Sequence, residues 1–301
     1  MESVFVDEVK AIVGEDRLLL DEPMKLHTTF RIGGNADYFV KPESIEEIKA
    51  LTECAKRHDI AYYVLGNGSN MLISDEGYRG LIIRLGEEFS AVTMQDNDMI
   101  SVQAGAKLSR VGNEAAAKGL AGFEFASGIP GTVGGAVVMN AGAYGGEIKD
   151  IIVSATVLTP EGDVVTLSRD ELELGYRTSI IQKKGYIVLL AVFKLEKGDE
   201  GKIRARMKEL AEKRREKQPI EYPSAGSTFK RPEGFFAGKL IADAGLKGFK
   251  VGGAQVSEKH AGFVINTGSA TARDVIELTD EIKRKVKQTY GVELELEVKK
   301  I

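Results

Sequence analysis

The chain has 301 residues, enough for about two domains of the usual ~150 residues and for the burial of a large cofactor. Its 45 acidic residues outnumber its 41 basic ones and leave a formal net charge of -4, which argues against a nucleic-acid-binding protein and favours a small-molecule partner. Cys54 is the single cysteine, which excludes an internal disulfide framework and cysteine-rich metal sites. Without a signal peptide or long apolar segment we expect a cytoplasmic protein that makes no membrane contact.

The first predicted elements are a strand, a helix and a second strand. Ser44-Ile-Glu-Glu47 has the form of a capping box, and the apolar residues after it recur at helical spacing, so a helix is predicted from about 44 to 57. Apolar runs at 36–40 and 60–65 predict strands on either side of it. The second strand leads into residues 66–70, at the end where such units favour ligands.

The next part of the chain predicts a sheet. Short β-like runs lie at 80–85, 99–103, 151–158 and 186–193. Pro160-Glu-Gly-Asp163 predicts a hairpin turn between two of them. A second capping box, Ser168-Arg-Asp-Glu171, predicts a helix that interrupts the sheet.

The last third begins with a highly charged segment at 199–217, which predicts an exposed helix and a domain boundary. Thr271-Ala-Arg-Asp274 then predicts the start of an amphipathic helix that Gly291 is well placed to end. The alternation over 292–298 predicts a strand with three acids on one face, Glu293, Glu295 and Glu297.

Two glycine-rich stretches are candidates for anion binding. Residues 66–70, Gly-Asn-Gly-Ser-Asn, could direct backbone N–H groups at a phosphate, although a plain β-turn explains them equally well. A second stretch at 126–136 continues through 140–146, and tight sheet packing explains one such loop more easily than both. The pair therefore favours a diphosphate ligand, although neither stretch has the nucleotide-hydrolase or dinucleotide-binding pattern.

Single residues give weaker signals. His27, His58 and His260 stand far apart without metal-site spacing, so we assign no metal. Ser227 follows a glycine that would leave its hydroxyl accessible, but a serine in a turn is the simpler interpretation. Lys217 is most simply a charge at a helix terminus, and Arg177 in Tyr-Arg-Thr-Ser is most simply a surface arginine.

Taken together, the motifs resemble those of the UDP-N-acetylenolpyruvoylglucosamine reductase family, in order and over nearly the whole chain. Any one motif is weak, but their joint order is highly specific. The matching segments are Thr29-Phe-Arg-Ile-Gly-Gly34, Leu65-Gly-Asn-Gly-Ser-Asn70, Gly128-Ile-Pro-Gly-Thr-Val-Gly-Gly135, Asn140-Ala-Gly-Ala-Tyr-Gly145, Tyr176-Arg-Thr-Ser179, Ala225-Gly-Ser-Thr-Phe-Lys230 and Leu294-Glu-Leu-Glu-Val298.

The resemblance implies an α+β protein with two functional parts. A two-lobed FAD-binding unit of the vanillyl-alcohol-oxidase type would occupy residues 1–198, with lobes of about 1–85 and 86–198. An α+β substrate-binding domain would follow over 199–301. The family uses noncovalent FAD and NADPH to reduce an enolpyruvyl UDP-sugar to UDP-N-acetylmuramate for peptidoglycan.

The resemblance also implies roles for single residues. Ser227 matches the proton donor of the family, Arg177 its active-site arginine and Glu297 its active-site glutamate. Tyr144 and Lys217 match substrate-contacting positions. The positions that match the FAD-binding loops are Gly66, Asn67, Gly68, Ser69, Asn70, Gly128, Ile129, Pro130, Gly131 and Gly134.

Two features depart from the longer form of the family. Arg231 stands where that form has asparagine, and the connection from Arg177 to Tyr186 is too short for its tyrosine-bearing substrate loop, so the chain resembles the shorter form. Leu296 stands where a proline is frequent.

Two other functions stay open at this point. A flavin oxidase or dehydrogenase of the same cofactor fold would be reoxidised by oxygen as fast as by the enolpyruvyl sugar. A non-catalytic nucleotide-sugar-binding protein would use both glycine loops without flavin and would purify colourless. The sequence does not predict an oligomeric state.

Overall fold

The computed structural model describes residues 2–301, which pack as two compact units that both mix helices and strands. The first unit comprises the residues up to Leu20, Tyr38–Asn67 and Gly80–Glu212, and the second comprises Asp21–Asp37, Gly68–Arg79 and Lys213–Ile301. Within the described residues, every helix is too short or too polar to span a bilayer.

Two sheets contain half of the strands within residues 2–301. The four-stranded sheet has the order Leu18–Pro23, Asn35–Val40, Tyr78–Arg84, Tyr62–Leu65, and its last two strands are parallel. The five-stranded antiparallel sheet has the order Val164–Ser168, Ile152–Leu158, Ile187–Lys194, Met99–Gln103, Val92–Gln95. Apolar side chains of both sheets belong to one continuous hydrophobic core of the first unit.

Smaller strands and the helices complete the chain. The helices are Glu2–Val13, Ile45–Arg57, Leu108–Ala117, Glu124–Ser127, Val133–Val138, Ile148–Ile151, Ile180–Lys184, Glu200–Lys217, Ala237–Asp243 and Ala272–Tyr290. The short strand pairs are Gly142–Ala143 with Gly146–Glu147, Leu120–Ala121 with Glu196–Lys197, and Met71–Leu72 with Lys299–Lys300. A three-stranded sheet contains Lys250–Val251, Ala254–Val256 and Val264–Asn266.

The predicted elements of the first unit are confirmed, apart from one helix. Helix Ile45–Arg57 begins after Ser44, whose hydroxyl accepts a hydrogen bond from the N–H of Glu47 at 3.1 Å. The predicted strands appear with their ends shifted by a few residues. The predicted hairpin turn is present, with Gly162 N donating to Thr159 O at 3.0 Å, but it joins Ile152–Leu158 to Val164–Ser168, a strand that the sequence analysis did not predict.

The helix predicted at Ser168-Arg-Asp-Glu171 is wrong. Ser168 N does donate to Glu171 Oε2 at 2.8 Å, and Leu172 N donates to Ser168 O at 3.1 Å, as in a first helical turn. Glu173 then adopts a left-handed φ of 45°, so the chain leaves the helical conformation after that turn. The capping pattern here closes a turn only.

The long helix of the second unit is confirmed. Helix Ala272–Tyr290 begins with a capping box in which Thr271 and Asp274 bond reciprocally, and it ends at Gly291 with a φ of 70°. The buried side chains on one face of it include those predicted, Val275, Leu278, Ile282 and Val286.

The regular strand predicted over 292–298 is wrong. The segment is extended, but among the described residues its pairing is limited to an isolated antiparallel bridge between Leu296 and Phe229. Burial still alternates along the segment, because Leu294 and Val298 are buried while the acids between them are exposed or half-buried. Lys287 and Lys230 form ion pairs with the two exposed acids, Glu293 and Glu295.

Candidate active site

The loop after strand Tyr62–Leu65 contains a glycine at a position where a side chain does not fit. Gly68 has a φ of 59°, and a Cβ on it would lie 2.2 Å from the carbonyl oxygen of His27. Within residues 2–301, the backbone N–H groups of residues 67–70 donate to no protein acceptor. Consecutive unpaired N–H groups of this kind form concavities that bind phosphates.

The two predicted cofactor loops meet in the first unit. Asn67 Nδ2 donates to the carbonyl oxygen of Pro130 at 2.8 Å. A Cβ on Gly66 would lie 2.4 Å from Thr132 Oγ1, so the packing of one loop on the other requires glycine at 66.

The second loop uses several of its own N–H groups inside the protein. Gly131 N donates to Ile129 O at 2.8 Å, and Gly134 N donates to Ala104 O at 2.8 Å. A Cβ on Gly134 would lie 2.9 Å from the Ala104 Cβ. The N–H groups of both glycines are therefore used inside the protein, and Gly134 permits close packing on Ala104. The other predicted positions in this loop are exposed or half-buried: Gly128, Ile129 and Pro130.

Arg177 lies in a tight turn of the first unit. Gly175 and Thr178 exchange two backbone hydrogen bonds of 3.1 and 3.3 Å across the turn. Arg177 has a left-handed φ of 55°, and its guanidinium carbon lies 5.3 Å from the centre of the Tyr176 ring. The turn therefore holds the backbone of Arg177, which is half-buried, in one conformation.

Asn140 connects this turn to the segment that contains Tyr144. Asn140 is 1% exposed, and its Nδ2 donates to Gly175 O at 3.1 Å and to Glu147 Oε2 at 2.9 Å. Its Oδ1 accepts a hydrogen bond from Lys149 N at 2.9 Å. The sequence prediction omitted Asn140 from the site, because an asparagine in a glycine-rich stretch also suits an ordinary turn.

The same cluster contains Tyr144 and an acid, Glu147, whose pKa is lowered by its neighbours. Tyr144 is 40% exposed and has a φ of 53° between two short paired strands. A hydrogen bond from Lys149 is the main reason that the pKa of Glu147 lies below its usual range, and Asn140 and the charge of Arg177 add to it. An ionised Glu147 thus lies within the field of the arginine.

In the second unit, Ser227 and Glu297 lie on adjacent backbone segments. Glu297 N donates to the carbonyl oxygen of Thr228 at 2.9 Å. Ser227 is exposed, whereas Ala225 and Thr228 on either side of it are buried. Gly226 has a φ of 75°, which favours glycine immediately before the serine.

The backbone of Glu297 is held from two directions. The N–H of Glu297 donates to Thr228 O, and the carbonyl oxygen of Glu297 accepts a hydrogen bond from Asn70 Nδ2 at 3.1 Å. Lys299 N donates to Asn70 O at 3.0 Å, and Thr228 Oγ1 accepts from Val264 N at 2.9 Å. The side-chain amide of Asn70, predicted to face the cofactor, therefore supports the glutamate segment.

The remaining predicted residues lie near the surface. Lys217 is exposed in the last turn of helix Glu200–Lys217, where the helix dipole favours a positive charge. Ser69 is half-buried. The guanidinium carbon of Arg231 lies 3.9 Å from the centre of the Phe236 ring, a cation–π contact with an exposed aromatic side chain.

Comparisons with known proteins agree across the chain. Residues 36–168 match the model described as FAD binding domain, and residues 218–301 match the model described as UDP-N-acetylenolpyruvoylglucosamine reductase, C-terminal domain. The UDP-N-acetylenolpyruvoylglucosamine reductase of Lachnoclostridium phytofermentans is 54% identical over 304 residues, which covers 100% of this chain and 98% of the relative.

Solved structures give the same result. The crystal structure of UDP-N-acetylenolpyruvylglucosamine reductase from Thermus caldophilus is 39% identical, covers 94% of this chain and 97% of its own, and superimposes with a TM-score of 0.79. The glucose dehydrogenase Phl p 4.0202 is 18% identical with a TM-score of 0.51, covering 64% of this chain and 44% of its own, and shares the fold alone.

Proposed function

Since this chain belongs to the UDP-N-acetylenolpyruvoylglucosamine reductase family, we propose how its residues divide the work of the reaction. The chain is an FAD-dependent oxidoreductase that reduces UDP-N-acetylglucosamine enolpyruvate to UDP-N-acetylmuramate in peptidoglycan synthesis. In this proposal NADPH donates the hydride, residues 1–198 bind FAD and residues 199–301 bind the UDP-sugar. The single cysteine, Cys54, supports a reducing cytoplasm as the location.

The loop at residues 66–70 has the donors that the pyrophosphate of FAD requires. Its N–H groups at 67–70 have no protein acceptor within the described part of the chain, and the Ser69 hydroxyl adds a polar group. Residues 128–134 would approach the flavin through their backbone. FAD held by these two loops would supply the redox chemistry, namely hydride transfer from the donor to the vinyl carbon of the substrate.

Arg177 and Glu297 stabilise the negative charge that develops on the substrate. Hydride addition at the vinyl terminus leaves negative charge on the enolate of the adjacent carboxylate. The guanidinium of Arg177 stabilises that charge, and Glu297 donates a hydrogen bond to it when protonated. Tyr144 and Lys217 contact the substrate and fix its orientation.

Ser227 supplies the proton that completes the reduction. The carbon beside the carboxylate must receive a proton on one face, and a fixed hydroxyl can deliver it although serine is a weak acid in water. A nearby positive charge such as that of Lys217 eases the loss of the proton.

The observation that carries this proposal is the placement of Ser227. Ser227 is exposed between the buried residues Ala225 and Thr228, and Thr228 is hydrogen-bonded to the backbone of Glu297, so the protein keeps an accessible hydroxyl on a segment that is held in place. A serine whose function was only to form a turn would not need such a support.

The decisive experiment is an anaerobic visible spectrum of the purified protein, followed through two additions. NADPH should bleach the flavin band, and UDP-N-acetylglucosamine enolpyruvate should restore it. A band that bleaches but does not return would overturn the assignment of the acceptor to this chain. A band that NADPH fails to bleach, while dithionite does, would overturn the proposed donor.

A further inference from the structure

Three side chains of metal-ligating types converge in the first unit, and the proposed reaction uses none of them. Cys54 and His58 are four residues apart at the end of helix Ile45–Arg57, a spacing that places both on one side of the helix. Glu8 faces them from helix Glu2–Val13.

The ligand atoms are close enough to share one ion. Cys54 Sγ lies 3.4 Å from Glu8 Oε2, and His58 Nε2 lies 3.2 Å from Glu8 Oε1. One sulfur, one nitrogen and one oxygen atom of the three side chains all lie within 4.8 Å of one another. Tetrahedral zinc with bonds of about 2.0–2.3 Å separates neighbouring ligands by roughly 3.3–3.8 Å, so small side-chain shifts would bring the sulfur, the nitrogen and one carboxylate oxygen to these distances.

We propose that Glu8, Cys54 and His58 bind one borderline divalent transition-metal ion, for which Zn²⁺ is the best match. Thiolate, imidazole and carboxylate together are the ligand types of zinc, and a hard cation such as Mg²⁺ or Ca²⁺ would not select the sulfur. Water would occupy the fourth position, which the partial exposure of Glu8 and His58 permits.

Neighbouring residues orient one of the three ligands, but the Cys54 proton and the Arg57 charge compete with the ion. Phe5 packs edge-on against the His58 ring at 5.5 Å between centres and orients it. Burial, with a further contribution from Glu8, raises the pKa of the Cys54 thiol to about 11, so the ion must replace the thiol proton, which leaves to solvent. Arg57 Nη2 lies 2.5 Å from Glu8 Oε2 and competes for the same carboxylate.

The effect of the ion would be structural. It would join helix Glu2–Val13 to helix Ile45–Arg57 at their surface edge and stabilise the folded chain in proportion to its binding affinity. The ion would not enter the reduction of the UDP-sugar.

Cobalt(II) tests the site, because Cys54 is the only cysteine and any thiolate-to-cobalt charge-transfer band must come from it. FAD-loaded, chelator-treated protein is titrated with Co²⁺, its spectrum is recorded as a difference, and Zn²⁺ is then used to displace the cobalt. We expect a charge-transfer band that saturates at one equivalent of Co²⁺ and that Zn²⁺ abolishes. We also expect Zn²⁺ to raise the melting temperature.

Variants at partly or fully exposed positions limit the effect of the test on folding. Glu8→Gln and His58→Gln should weaken cobalt binding by more than the ten- to hundred-fold typical for loss of an outer-shell partner. Arg57→Gln should tighten binding because it removes the competing cation, and His260→Gln should change nothing. Absence of the band, or a band that Glu8→Gln and His58→Gln leave unchanged, would overturn the proposal.

Discussion

Ser227 carries the most specific prediction at the scale of one residue. Loss of a general acid typically slows its step by about a hundred- to ten-thousand-fold, so Ser227→Ala should slow flavin reoxidation by the enolpyruvyl sugar by that factor. Reduction by NADPH should keep its rate, because that half-reaction needs no proton at the substrate carbon. Anaerobic stopped-flow measurement of both half-reactions separates the two effects.

A neighbouring serine provides the control for this variant. Ser224 lies in the same loop and uses its carbonyl oxygen, which accepts from Thr29 Oγ1 at 2.7 Å, so Ser224→Ala should leave both rates near those of the wild type. Equal losses in both half-reactions of Ser227→Ala would instead indicate a distorted site and contradict the role of proton donor.

Asn140 carries a second residue-scale prediction. Asn140→Ala removes three hydrogen bonds of a side chain that is 1% exposed, one of them to a carboxylate, and should cost about 2–4 kcal/mol of unfolding free energy. Urea denaturation measures this loss. Asn113→Ala, which removes one exposed bond, should change the free energy by less than about 0.5 kcal/mol, and an equal effect of both variants would contradict the prediction.

The candidate residues of the site carry local sequence signals, whereas the residues that hold their segments in place do not. Ser227 and the glycines at 66 and 68 can be recognised because glycine beside a polar residue is a local signal. Asn140 and Asn70 support the site through bonds to residues far away in the chain, and a single sequence contains no record of such pairings.

The pair Arg17 and Glu47 gives a prediction at the scale of one element. Both nitrogens of the Arg17 fork donate to the Glu47 carboxylate at 2.7 Å, and the pair holds the start of helix Ile45–Arg57. Burial alone would raise the pKa of Glu47, but hydrogen bonds from Arg17 and from the backbone at Glu43 and Ser44 outweigh it and lower the pKa.

The sign of the pH effect follows from that direction. Because the folded pKa of Glu47 is depressed, its contribution is fully present above the unfolded pKa and is lost as pH falls through the folded value. Glu47→Gln should therefore cost about 1–3 kcal/mol at pH 7, with the difference shrinking below about pH 4. Glu46→Gln in the same turn is exposed and should be nearly neutral, and a pH-independent loss in Glu47→Gln would contradict the argument.

Capping patterns show how far element prediction can go. The boxes that begin at Ser44 and Thr271 start helices because apolar residues recur at helical spacing after them and are buried on one face. The box at Ser168 forms the same local hydrogen bonds but closes only a turn, since Glu173 turns left-handed. A cap therefore predicts where a helix begins only when tertiary burial sustains it.

At the scale of the whole molecule, the second unit is assembled from distant parts of the chain. Besides its C-terminal residues it contains 21–37 and 68–79, which lie within the region that the sequence predicts to bind FAD. Phe30, Ile32 and Leu72 from these segments are at most 4% exposed in its hydrophobic core. Short segments with a few apolar residues show no periodicity that could identify this core from the sequence.

The fragment 199–301, cut at the predicted boundary, should therefore not fold cooperatively by itself. It lacks those three core side chains, whose burial stabilises a fold by about 1.5–3 kcal/mol each, and the sum of roughly 4.5–9 kcal/mol is comparable to the ~5–15 kcal/mol stability of a typical domain. It also lacks Asp75, whose carboxylate accepts hydrogen bonds from Ala272 N at 2.7 Å and Arg273 N at 3.0 Å and caps the long helix. Calorimetry should show no sharp transition in the fragment but a sharp one in the full chain. A cooperative melt of the fragment with dispersed amide resonances would refute this dependence.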